Sequence, residues 1–245
     1  MDMRKWIAGL TAVAGIVAAT TAFALPLTVG DQVNVGNQSS GVFTSSPDPN
    51  GLFAGVSFSL NGGGSHSESA GLFVLDYRHV SPSTTTTWTQ FLSFCLEPDV
   101  YSNPYSNPYT IQSVGGAGNM YTDPHGYISE LWARYRSSVV DDVTAAAFQV
   151  ALWELAYGST NLLLASGDFA LTSPGSVFDT AQGWLNSLTG EGPRAEGLVV
   201  LVDNPNDPYD RQDLITQVSV PEPATVALLG LGLLGIGLMR RRKRN

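Results

Sequence analysis

The chain has 245 residues, of which 13% are charged, with a formal net charge of -9 and a single cysteine. Seven of its twelve Lys and Arg residues sit in the two end segments, so the central region keeps five cations against nineteen acids and has no lysine between Trp6 and Arg242. Such an acidic body excludes nucleic acid and anionic lipid as its partners, and one cysteine excludes an internal disulfide framework.

The first 24 residues have the form of an export signal. Arg4 and Lys5 supply the charged start, Trp6 to Ala19 the apolar run, and Ala22-Phe23-Ala24 the small-x-small cleavage site, with Leu25 as the first mature residue. A retained membrane helix is the alternative, although the apolar run is short for a span. From Leu27 to Leu92 the pattern predicts β-structure, with runs at Leu27 (L-T-V), Leu52 (L-F-A-G-V-S-F-S-L), Gly71 (G-L-F-V-L-D-Y) and Thr84 (T-T-T-T-W-T-Q-F). Gly62-Gly63-Gly64-Ser65 reads as a turn between two of these strands.

Cys95 ends the run that begins near Trp88 and follows Phe94 in F-C-L-E. Just beyond it Tyr101-Ser-Asn-Pro-Tyr-Ser-Asn-Pro-Tyr109 repeats four residues in tandem, and Asn-Pro favours turns and extended backbone. Tyr101, Tyr105 and Tyr109 are therefore expected on an exposed loop, as candidate surface-binding residues or as a cover for the core. Gly126 to Ser137 predicts a first helix, with Ile128, Leu131, Trp132 and Tyr135 on its apolar stripe.

A second helix, Asp142 to Gly158, reads D-V-T-A-A-A-F-Q-V-A-L-W-E-L-A-Y-G, with Asp141 or Asp142 as its cap. Only Thr144, Gln149 and Glu154 interrupt its apolar surface, so Gln149 is expected to be buried. A buried primary amide needs partners for its oxygen and its hydrogens, because leaving them unpaired costs roughly 1 to 3 kcal/mol. Cys95 is the expected neighbour. A third helix is predicted from Val177 to Leu188 with Ser176 as its cap, followed by strands from Gly197 to Val202 and from Leu214 to Val220. Between those strands the oxygen-rich segment Asp203 to Asp213 reads as a solvated acidic turn; it offers oxygen ligands for calcium, but not at EF-hand spacing. His66, His79 and His125 are scattered, so no metal site and no cofactor are expected.

The pair F-C-L-E and A-F-Q-V-A-L-W-E resembles the two signatures of bacterial surface thioester domains. The resemblance implies an internal thioester between Cys95 and Gln149, with Phe94, Ala151 and Trp153 in supporting places. It also implies a partner nucleophile, an amine or hydroxyl on an extracellular polysaccharide or surface protein. The missing lysines would remove the commonest internal competitor, or they reflect compositional drift. Two other readings stay open beside it. One is a non-covalent structural or polysaccharide-binding matrix protein with a buried free cysteine; the other is a cysteine hydrolase, for which His125 is the only histidine between Cys95 and Gln149. The preferred reading is not an enzyme, since each acyl bond reacts once.

The end of the chain, Val220-Pro221-Glu222-Pro223-Ala224, an apolar run to Met239, then Arg240-Arg-Arg-Lys-Arg244, resembles the PEP-CTERM sorting signal. An apolar run of this length spans only about 24 Å at 1.5 Å per residue, short of the roughly 30 Å hydrocarbon core. The basic cluster would hold its end in the cytoplasm. The resemblance implies recognition of Pro221, Glu222 and Pro223 by an exosortase-type enzyme at the inner membrane, then release to the cell surface or matrix. A plain single-pass anchor is the alternative. The expected organisation is a signal peptide at 1–24, an ectodomain at 25–219 and a sorting signal at 220–245. The expected class is α+β: an antiparallel β-sandwich or partial barrel with an inserted helical segment, plus an N-terminal signal helix and a C-terminal membrane helix.

Overall fold

A computed structural model describes residues 27–36, 51–81, 88–100, 108–115, 123–157, 161–203 and 211–218. The expected signal helix, the sorting signal with Pro221, Glu222 and Pro223, and Tyr101 and Tyr105 lie outside these residues. Among the described residues no helix is long and apolar enough to cross a membrane.

Among the described residues eight strands and three helices follow in the order β1 (Gln32–Gly36), β2 (Leu52–Leu60), β3 (Ser65–His79), β4 (Thr89–Cys95), β5 (Tyr109–Ser113), α1 (Tyr127–Tyr135), α2 (Asp142–Tyr157), β6 (Phe169–Leu171), α3 (Ser176–Leu185), β7 (Leu198–Val202) and β8 (Leu214–Gln217). A single 3-10 turn, Arg136–Ser138, extends α1. Every pairing is antiparallel, in the order β1-β5-β7-β8-β4-β3-β2-β6, and β1 also pairs with β3. That last pairing closes six strands into a barrel, which decides between the two expected β-architectures. Closure leaves these strands without a free edge.

The long β3 joins two regions. Its second half, Phe73 to His79, belongs to the barrel wall, where it pairs with β4 and β1; its first half leaves the wall to pair with β2 from Leu52↔Leu72 onward. Gly71 sits at this crossing. A Cβ there would lie 1.9 Å from the Leu52 carbonyl oxygen, so only glycine lets the two backbones approach this closely. The hairpin between β2 and β3 turns at Asn61 and Gly62, both at positive φ.

Strand alternation sorts the side chains into two cores. Val33, Val35, Leu75, Tyr77, Cys95, Tyr109, Ile111, Val199, Leu201 and Leu214 fill the barrel. The alternate residues Phe94, Leu198, Val200 and Ile215 face outward, where the helices cover them. The middle of α2 is buried on all sides from Ala145 to Glu154, as its apolar sequence demands. Asp141 caps α2, its Oδ1 accepting the Thr144 N–H at 2.8 Å. α3 instead begins at Ser176, with Gly175 before it and no side-chain cap.

The strands β5 and β6 lie outside the segments expected as β-structure, and β1 falls within the 27–92 stretch but on none of its named runs; all three are short and lie beside Gly-, Asn- and Pro-rich segments. Leu27 to Val29, expected as a strand, is not in the sheet, although Leu27 is buried against the barrel core.

Candidate functional site

Cys95 is the last residue of β4, paired with Leu214 of β8. In an antiparallel strand the N–H and C=O of one residue point to the same side. The neighbouring Leu96 N–H reaches Asp213 O on the β8 side at 2.9 Å, so the two main-chain groups of Cys95 face the other way, toward β3. There β3 has already left, because its ladder with β4 stops at Phe73↔Ser93. The side chain of Gln149 fills the vacant place. The Cys95 N–H donates to Gln149 Oε1 at 2.9 Å, and Gln149 Nε2 donates to Cys95 O at 2.6 Å. A primary amide thus does for one residue what a neighbouring strand would have done.

The sulfur points elsewhere. Cys95 Sγ belongs to the barrel core and lies 2.7 Å from Oε1 of Gln212, donating toward it. Such a distance is ordinary for O–H···O, so an atom as large as sulfur is pressed against the amide. Gln212 Nε2 donates to Glu97 O at 2.6 Å, which fixes the amide plane. The Gln212 main chain is fixed too, since Tyr109 Oη donates to its carbonyl oxygen at 3.2 Å. The contacts at Cys95 thus divide: the expected neighbour Gln149 meets its main chain, and the amide that meets the sulfur is Gln212.

Charged groups at the same barrel end hold this segment in place. Asp213 N–H donates to Glu97 Oε2 at 2.7 Å, and Asp203 N–H to Asp213 Oδ1 at 2.7 Å. Arg211 forms a buried ion pair with Asp203 and lies 4.5 Å over the Tyr109 ring. The two ends of the acidic segment thus hold each other through Arg211 and main-chain donors. Among the described residues no group of His, Cys, Asp and Glu has the form of a metal site. Burial, and then the Glu97 charge, push the Cys95 thiol well above its ordinary pKa. The sulfur is held as a neutral thiol, while Gln212 is half-buried.

The other expected site residues fall into place around this centre. Phe94 packs on Phe148 and Trp132, with ring centroids 4.7 and 5.8 Å apart, and seats α2 against the barrel wall. Trp153 is one helical turn from Gln149 and packs on Phe58 and Phe169. Tyr109 is 1% exposed, which corrects its expected place on a surface loop; it opens β5 with its ring inside the barrel. His125 is exposed, its ring tilted at 37° against that of Tyr127. The unanticipated residue is Gln212. Its signal was present in R-Q-D-L-I-T, where it lies two residues before Leu214, on the same strand face, at the start of a run that pairs with the cysteine strand.

Residues 219–243 match the model of the PEP-CTERM protein-sorting motif. No curated protein and no solved structure matches the chain. By this motif the chain is an exported protein, sorted at the membrane as a substrate of exosortase.

Proposed function

We propose that the exported ectodomain is a single-use acyl donor that attaches covalently to a partner through an internal thioester between Cys95 and Gln212. The observation that carries this reading is the 2.7 Å separation of Cys95 Sγ and Gln212 Oε1, close to the spacing of two atoms bonded to one carbonyl carbon. In the forming step Sγ attacks Gln212 Cδ, the S–C bond forms and the C–N bond breaks. The thiol proton passes to the departing nitrogen, which leaves as ammonia. In the attaching step an amine or hydroxyl of the partner attacks the same carbon, the S–C bond breaks, and the nucleophile's proton returns to sulfur. The products are an amide or ester and a free thiol.

Gln149 is the positioning residue of this site. By holding both main-chain groups of Cys95, it keeps the sulfur aimed into the barrel. The partner class is a polysaccharide or surface protein bearing a nucleophile, and the final location is the cell surface or the extracellular matrix. The 25–219 ectodomain, between a signal peptide at 1–24 and the sorting signal, is the unit that acts.

The second reading is a non-covalent matrix protein, favoured by the burial of Cys95 at 2% exposure, as for an inert core thiol. Methylamine separates the two. The full chain in a neutral detergent should take up one methylamine at Gln212 and expose one titratable thiol at Cys95, and Gln212→Asn should do neither. A thiol that titrates fully on unfolding without methylamine, with no label on Gln212, supports the second reading and rejects the first.

A further inference from the structure

A cleft of about 460 Å³ opens on the wall formed by β4, β8 and the end of α1, apart from the Cys95 centre. Its lining includes Phe91, Leu92, Trp132 and Arg136, with Leu27 and Val218 at the two ends of the described chain. The volume suits a ring-sized molecule. Most of its polar lining is already engaged. Trp132 Nε1 donates to Gln217 Oε1 at 2.9 Å, Gln217 Nε2 to Glu196 O at 2.9 Å, and Thr216 Oγ1 to Leu92 O at 2.6 Å. These bonds make the floor rigid and leave it little to offer a ligand.

Arg136 and the exposed Gln90 are the exceptions, and of the two only Arg136 is charged. The region between the end segments has five cations, all arginine. Arg134 pairs with Glu130, Arg211 with Asp203, and Arg194 donates to the main-chain oxygens of His125 and Gly190. Arg78 rests over Trp88, 4.9 Å from the ring centroid, in a different place. Arg136 lines the cleft with its guanidinium 5.7 Å from the Phe94 ring centroid, and it has no oxygen partner among the described residues. Burial lowers its pKa from the ordinary value, which marks a charge short of solvent rather than one resting in bulk water. In a strongly acidic protein, a partly desolvated cation with five free donors is a costly arrangement unless an anion completes it.

We infer that the Arg136 cleft is a binding site for a carboxylate carried on a ring-sized body. The guanidinium takes the two carboxylate oxygens in parallel, and the body lies against the exposed Leu92. A carboxylate suits the site better than a phosphate: one cation balances one negative charge, whereas a phosphate monoester brings about 1.5 to 2. The carboxylate has two sources. One is a free or polymer-borne acid outside the cell. The other is Glu222, four residues beyond Val218 and the only acid in residues 219–245, which the chain itself could bring to the cleft. The site does not depend on the thioester reading.

The test is calorimetric titration of the full chain, in uncharged detergent, with sodium benzoate and sodium glucuronate against the neutral benzamide and glucose and against inorganic phosphate. At least one carboxylate should bind at one site, its neutral counterpart should not, and Arg136→Gln should weaken binding by about tenfold or more. Leu92→Glu changes only an exposed residue and should also abolish binding by supplying a competing carboxylate. Tighter binding to Glu222→Gln than to the native chain assigns the cleft to the chain's own glutamate; equal binding assigns it to an external acid. Absence of carboxylate binding to both, equal binding of the neutral probes, phosphate binding as tightly as carboxylate, or indifference to both Arg136→Gln and Leu92→Glu would overturn the proposal.

Discussion

Replacing Gln149 by Met keeps the length and helix propensity of the side chain but removes the amide that closes the end of β4. Gln149 is fully buried, and so is the strand end that it serves. The substitution leaves the Cys95 N–H and C=O unpaired in a dry seam, where each unsatisfied group costs about 1 to 3 kcal/mol. Part of this is recovered, because a methionine no longer has a polar amide to desolvate. The net expectation is a loss of about 3 kcal/mol, or a fall in Tm of roughly 6 to 12 °C for a domain of this size. Gln149→Glu should be worse at neutral pH, since a carboxylate accepts from the N–H but faces the carbonyl oxygen, and should recover in part as the pH falls. Urea unfolding followed by tryptophan fluorescence gives the numbers. A change below about 0.5 kcal/mol for Gln149→Met would refute the claim that this amide replaces a missing strand.

Other consequences are as direct. Burial raises the Glu154 carboxyl from an ordinary 4.5 to about 8, outweighing the opposing pull of the nearby Leu163 N–H. The native state therefore holds a proton that the unfolded state has lost between those values, so stability should fall as pH rises through that window. Glu154→Gln should flatten this fall in a series of urea titrations from pH 5 to pH 9. Gly126 has φ 68°, and a Cβ there would lie 0.8 Å from Nη1 of Arg194. Gly126→Ala should cost about 2 kcal/mol from the left-handed backbone alone, with more from the displaced arginine, read as a drop in Tm. Tyr109→Phe removes the hydroxyl that holds the Gln212 carbonyl and should cost about 1 kcal/mol in the same assay.

Much of this architecture is visible in local pattern. The α2 helix, the position of Cys95 at a strand end and the β2–β3 hairpin each follow from periodicity and turn residues. The short strands β1, β5 and β6 do not, because their pairing comes from distant partners and their own propensity is weak. Tyr109 shows the same limit: its repeat suggests a loop, but barrel closure recruits it as the first residue of β5. At the site, the sequence makes Gln149 and Cys95 neighbours but cannot say which atoms meet. That depends on where β3 leaves β4, which leaves two main-chain groups for the Gln149 amide and turns the sulfur toward Gln212.

The most direct test of the account is the intact mass of the purified native chain, measured without prior exposure to amines. A mass lower than the sequence by one ammonia, restored in Cys95→Ala and in Gln212→Ala, is the predicted result. A full sequence mass in the native chain, with Cys95 recovered as a free thiol in every molecule, would contradict it.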